Sequence, residues 1–200
     1  MAEIISTVII WCAAFLLGSI PFGLIFAKTF CGVDPRFAGS GNVGATNVAR
    51  LCGTPWGVLT LACDLLKGFL PVVIFSASGH NLYYLAYGAG LGSICGHMFS
   101  IFLNFKGGKG VATTIGVFLA IGPLQLVIAG LCCIVVIWRT DFVSAGSLVL
   151  VSSLPLLFLF TSRGMDAAFA LVVAILVIVA HRENIQRLRR GEEKPWRKRY

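Results

Sequence analysis

The chain has 200 residues, of which 58% are hydrophobic and 12% charged, with a formal net charge of +8. Its mean hydropathy of +0.90 leaves too little polar surface for a soluble domain, so the sequence reads as an integral membrane protein. The cationic excess falls between and after apolar runs, where it orients a membrane chain, and this excludes nucleic acid as a partner.

About 20 apolar residues carry a helix across a hydrocarbon core of about 30 Å. The first run, Ile4–Ala27, follows Glu3 and precedes Lys28. It lacks the basic start and small-residue cleavage site of a signal peptide, so it reads as an uncleaved span with the N-terminus outside. A long connection, Thr29–Thr54, is full of Gly, Asn, Ser and Thr, unlike the short joins elsewhere. Further spans are expected at Pro55–Ser78 and Leu82–Phe105. The uncharged stretch Val111–Trp138 exceeds one span and is interrupted by Gly122-Pro123, which predicts a short hairpin with arms 111–121 and 124–138. Phe142–Thr161 follows, then Met165–Ala180, which continues as helix through His181 and Arg182.

The tail carries Arg182, Arg187, Arg189, Arg190, Lys194, Arg197, Lys198 and Arg199. The positive-inside rule places it in the cytoplasm, together with Lys28, Arg36, Arg50, Lys106, Lys109 and Arg139. That requires seven crossings. The expectation is an all-α integral membrane protein forming one domain, 1–200, with its N-terminus outside, its C-terminus cytoplasmic, and a mobile, lipid-facing end after Gly191.

The seven cysteines, Cys12, Cys31, Cys52, Cys63, Cys95, Cys132 and Cys133, are odd in number, form no CxxC pair and mostly lie in apolar runs. They read as packing groups, and no disulfide framework is expected. His80, His97 and His181 have no zinc-ligand spacing, so neither metal nor cofactor is expected.

Three segments carry chemistry. The first, Gly39-Ser40-Gly41-Asn42-Val43-Gly44-Ala45-Thr46-Asn47-Val48-Ala49-Arg50, contains GxGxxG but lies between membrane helices, not in a βαβ unit. Its glycines let backbone amides converge on an anion, Ser40 and Thr46 add hydroxyls, and Arg50 adds a bidentate fork. The second, Lys106-Gly107-Gly108-Lys109-Gly110, has Gly110 where a nucleotide P-loop needs Ser or Thr for magnesium. ATP is therefore not expected, yet Lys109 at the mouth of a helix is an anion trap. In the third, His181 and Asn184 stand one turn apart and suit a hydroxyl-bearing ligand, with His181 a proton acceptor. Ser144 and Ser147, at the inner end of the sixth span, are within reach of this site. Asp64 and Lys67, at i and i+3 within a span, read as a structural ion pair, and His97 as a packed core residue.

These segments, with Asp64-Leu65-Leu66-Lys67-Gly68 and Gly96-His97 between them, resemble the bacterial acyl-phosphate:glycerol-3-phosphate acyltransferases along nearly the whole chain. Ser100 stands where proline is expected in many members. The resemblance implies transfer of a fatty acyl group from acyl phosphate to the sn-1 hydroxyl of glycerol 3-phosphate, at the cytoplasmic face of a bacterial inner membrane, with membrane lipids and the two substrates as partners and no obligate protein partner. It places the donor phosphate around Gly41, Asn42, Gly44 and Thr46, and glycerol 3-phosphate near Ser40, Arg50, Lys109, His181 and Asn184. Asn47, Ser144 and Ser147 complete the expected binding set, and Lys109, His181 and Ser40 are the catalytic candidates. Thioester-dependent glycerolipid acyltransferases carry Asp five residues after His; here the fifth residues are Leu85, Phe102 and Gln186, which excludes that mechanism. The rival reading is an anion or phosphate-ester transporter, although no internal repeat is visible.

Overall fold

Residues 2–76 and 83–196 are described by a computed structural model, and they are helical with no strand among them. His80, the basic residues 197–199 and the ends of the expected spans 55–78 and 82–105 that meet at 77–82 lie outside the described residues. The chain packs as two units, Met1–Ala120 and Ile121–Tyr200.

In the first unit, the apolar stretch Val8–Cys31 is long enough for one span. It is nevertheless two helices, α1 (Ala2–Gly18) and α2 (Phe22–Cys31), because Pro21 lacks the amide that a continuous helix needs. Two carbonyls at the break find side-chain donors. Ser100 Oγ donates to Ser19 O (2.5 Å), and Lys67 Nζ donates to Ile20 O (2.9 Å).

The connection after α2 is not all loop: Ala45–Cys52 forms α3, an eight-residue helix that rests on α4 (Thr54–Ser76). α5 (Tyr83–Met98) lies along α1 so closely that a Cβ on Gly18 or Gly96 would overlap facing backbone, the small-residue contact that lets membrane helices approach. A 3₁₀ turn, Ile101–Leu103, leads through the Lys106–Gly110 turn to α6 (Val111–Ile121), whose Thr113 backbone meets Gly68 of α4.

Cys31 and Cys52 form a disulfide, which corrects the expectation of packing cysteines. They end α2 and α3, and because both helices pack on α4, residues 21 apart in sequence come to a Cα separation of 5.8 Å, within bridging range. Spacing alone carries no sign of this pairing.

In the second unit, α7 (Pro123–Thr140) begins immediately after Gly122, with Pro123 in the first turn where its missing amide costs no helix bond. The interruption therefore falls where the sequence placed it. α8 (Val143–Phe160) and α9 (Gly164–Ala180) pack together and bury Val151, Leu154, Phe158, Val173 and Val177. The last helix does not run on through His181: the chain bends by 60° there and continues as α10 (Arg182–Arg190).

Among the described residues, five helical stretches suffice by length and composition to cross a membrane, and α9 with α10 makes a sixth if counted as one bent span. α6 is a shorter apolar helix of 11 residues.

Candidate active site

The first segment is a loop organised from within by Asn47. This side chain is buried, and its Nδ2 donates to the carbonyls of Asn42 (2.9 Å), Pro35 (3.0 Å) and Ala38 (3.1 Å). Its Oδ1 accepts from the Ser40 amide at 2.8 Å. Asn42 Oδ1 in turn accepts from the Gly44 amide at 2.8 Å, an Asx turn leading into α3. Gly39 and Gly41 take φ +66° and +72°, which side chains rarely adopt. Ser40 and Gly41 are exposed, while Asn42, Gly44, Thr46 and Arg50 are half-buried. The loop is thus built around an amide hub, with the Ser40, Gly41 and Gly44 amides bonded within it and Ser40 and Gly41 exposed.

Its approach is fixed by Asp34. Arg36 donates to both Asp34 carboxylate oxygens (2.9 and 2.7 Å), and Lys28 Nζ lies 3.1 Å from Oδ2. The Arg36 hydrogen bond holds the Asp34 carboxyl well below the usual carboxylate range, so these bonds persist throughout neutral pH.

In the second segment, the Lys106–Gly110 turn folds back on the end of α5. Gly107 N–H donates to Met98 O and Gly108 N–H to His97 O, each at 3.0 Å. Lys109 is half-buried and stands two residues before α6, whose unpaired first amides favour an anion. The ion pair expected from the sequence is present, with Lys67 Nζ 2.7 Å from Asp64 Oδ1; His97, expected only as a packed core residue, faces the same oxygen through Nδ1 at 3.6 Å, and all three residues are buried.

The second unit holds the third segment. His181 is 2% exposed, and its Nδ1 contacts Val177 O at 2.8 Å. A carbonyl only accepts, so this bond puts the proton on Nδ1 and the neutral ring's lone pair on Nε2. Asn184 Nδ2 and Ser144 Oγ both donate to Glu193 Oε1, at 2.6 and 2.7 Å, and Arg187 Nε donates to Oε2 at 2.7 Å. Burial pushes the Glu193 carboxyl up, but hydrogen bonds from Ser144, Arg187 and Asn184 outweigh burial and leave it below the ordinary glutamate range. Ser147 Oγ bonds only the Val143 carbonyl, at 2.9 Å. No group of three or more metal-ligating side chains is present among the described residues.

The model for the family described as glycerol-3-phosphate acyltransferase matches residues 8–191, which takes in all three segments. The chain belongs to that family. Glycerol-3-phosphate acyltransferase of Nitratidesulfovibrio vulgaris is 55% identical over 96% of this chain, which spans 59% of that relative's length. The enzyme of Lawsonia intracellularis is 49% identical, over 94% of this chain and 96% of its own. Among solved structures, the fold is similar to the glycerol 3-phosphate form of PlsY, an integral membrane glycerol 3-phosphate acyltransferase, at a TM-score of 0.90 and 40% identity over 95% of both chains. The lysophosphatidic acid form of PlsY matches with a TM-score of 0.88 and 39% identity, again over 95% of both.

Within this acyltransferase fold, the structure gives the expected residues different jobs. Asn47 spends its side chain on the loop itself, and Ser147 on its own helix. Sequence reasoning missed Glu193 and Arg187 as site-forming groups. Arg187 was absorbed into the basic tail, and Glu193 belongs to the end expected to be mobile. Residues 191–196 instead fold back: Glu192 N–H donates to Arg187 O (2.8 Å) and Trp196 N–H to Asp141 O (2.7 Å). An acid just beyond a helix-ending glycine, Gly191, was the available signal.

Proposed function

We propose that this acyltransferase moves a fatty acyl group from acyl phosphate to the sn-1 hydroxyl of glycerol 3-phosphate, releasing lysophosphatidic acid and phosphate. One observation carries the reading: the matching PlsY structures are a glycerol 3-phosphate form and a lysophosphatidic acid form, the acceptor and the product of such a transfer. Nothing in the helices favours transport.

The hydroxyl oxygen attacks the acyl carbonyl, the C–O bond to phosphate breaks, and phosphate leaves with the bonding pair. Phosphate is a good leaving group in this mixed anhydride, so no covalent nucleophile from the protein is needed. The Ser40–Thr46 loop offers amides and hydroxyls to the donor phosphate. Ser40, Arg50, Lys109, His181 and Asn184 hold the acceptor, and Lys109 stabilises charge at the tetrahedral centre. The attacking hydroxyl's proton passes to His181 Nε2 or to the donor phosphate.

The chain crosses a bacterial inner membrane seven times, N-terminus out, with the chemistry on the cytoplasmic face. Support comes from the five long apolar stretches, the bent α9–α10 pair, the short α6 and the positive-inside distribution.

Purified protein in detergent, given acyl phosphate and glycerol 3-phosphate without CoA, acyl carrier protein, metal or ATP, is expected to make lysophosphatidic acid. Absence of product, with phosphate-ester flux in proteoliposomes, overturns the reading. His181→Ala decides the proton's route: collapse of kcat at saturating substrate marks His181 as the base, whereas a raised KM with kcat largely kept marks the donor phosphate.

A further inference from the structure

The reaction leaves the buried Asp64–Lys67–His97 group without a task. Three ionisable side chains taken from water need a reason to be there, because burial opposes charge unless partners compensate. Asp64 and Lys67 have one: they pair at 2.7 Å, and Lys67 caps the Ile20 carbonyl at the α1–α2 break. Together they fix α4 to the broken first span. Adjoining them is a cavity of about 10 Å³, on the scale of one water. Its lining includes Asp64, Lys67, His97 and Ser100, and also Val43, which belongs to the glycine-rich segment.

His97 is the member that faces the other way. Its Nδ1 edge faces Asp64, while its Nε2 edge abuts Gly108 so closely that a Cβ there would overlap Nε2 and come within 3.0 Å of both Cδ2 and Cε1. Gly108 has no positive φ, so its glycine identity answers to the imidazole and not to backbone conformation. The amides of Gly107 and Gly108 are tied to the carbonyls of Met98 and His97. The ring and these two bonds therefore determine where the residue after Gly108 begins, and that residue is Lys109.

We propose that His97, lying between Asp64 and Gly108, is a positioning residue that seats the Lys106–Gly110 turn and so aims Lys109 at its phosphate-bearing substrate. The statement rests on the assignment of Lys109 to glycerol 3-phosphate. His97 touches no substrate; it acts through the turn.

The test exploits the missing Cβ. His97→Asn keeps a polar atom near the Nδ1 position, facing Asp64, but vacates the space beside Gly108. Gly108→Ala introduces a methyl that collides with the native ring. Each single variant is expected to raise the KM for glycerol 3-phosphate at least tenfold, with kcat falling as well because Lys109 also stabilises the tetrahedral centre. In the double variant the methyl refills the vacated space, and KM returns to within threefold of wild type. His97→Gln, which keeps a polar group against Gly108, is expected to rescue KM to within threefold even where His97→Asn fails to fold. Calorimetric binding of glycerol 3-phosphate follows the same ratios without needing turnover, so a wild-type protein that binds but makes no product counts against the reaction and not against this role. Losses that multiply in the double variant, a His97→Gln protein with KM raised tenfold, or a lowered melting temperature with KM unchanged would overturn the proposal.

Discussion

The loop around Asn47 and the cluster around Glu193 solve opposite problems. In the loop, one neutral side chain collects four backbone partners and sets the path of the chain. In the cluster, one carboxylate collects three side chains from α8 and α10 and sets their rotamers, while the backbone is already regular helix. A binding surface made of main chain needs a hub that shapes the chain; one made of side chains needs a hub that orients them.

That contrast is open to graded attack. Asn47→Ala removes every bond of a buried hub and is expected to cost about 3 kcal/mol, with the fall in melting temperature and the loss of activity arriving together. Retention of the wild-type melting temperature would show that the loop keeps its path without the amide. Glu193→Ala leaves Arg187, Asn184 and Ser144 without their shared acceptor at a partly exposed site, and a loss of about 2 kcal/mol is expected, read mainly as a higher KM for glycerol 3-phosphate. The carboxyl titrates lower when folded than when unfolded, so its contribution is present above the unfolded pKa and lost as pH falls through the folded value. Melting followed from pH 8 downward should therefore show no Glu193-dependent change until below about pH 4.5, the ordinary glutamate range. A difference between wild type and Glu193→Ala that vanishes near neutrality would contradict this. Ser144→Ala removes one donor from the carboxylate and should cost about 1 kcal/mol. Ser147→Ala, whose hydroxyl bonds only its own helix, should stay within about 0.5 kcal/mol in both melting and KM. Equal effects for the two serines would remove the distinction between them.

The membrane helices were legible because apolar length is a local property, and Gly122-Pro123 marked its interruption correctly for the same reason. The break at Ser19–Pro21 was harder. Hydropathy runs straight through it, and it persists because Ser100 and Lys67, far along the chain, satisfy the opened carbonyls. α3 escaped notice because a stretch with Thr, Asn and Val forms helix weakly by itself, and here it is held on α4 beside Gly57. The chemical character of Ser40–Arg50, Lys109 and His181–Asn184 could be read from residue type. Asn47 looked identical to a ligand because an amide offers the same atoms to a phosphate or to three carbonyls. Glu193 was invisible because only the turn after Gly191 brings it back to α8 and α10.

The Cys31–Cys52 bond encloses the whole stretch from Gly32 to Leu51, and the exposed Arg36 lies inside that ring. A tryptic nick after Arg36 would thus leave both fragments covalently joined, migrating as one band on a non-reducing gel and as two after dithiothreitol. Cleavage of the glycine-rich loop can in this way be followed while the severed halves remain attached.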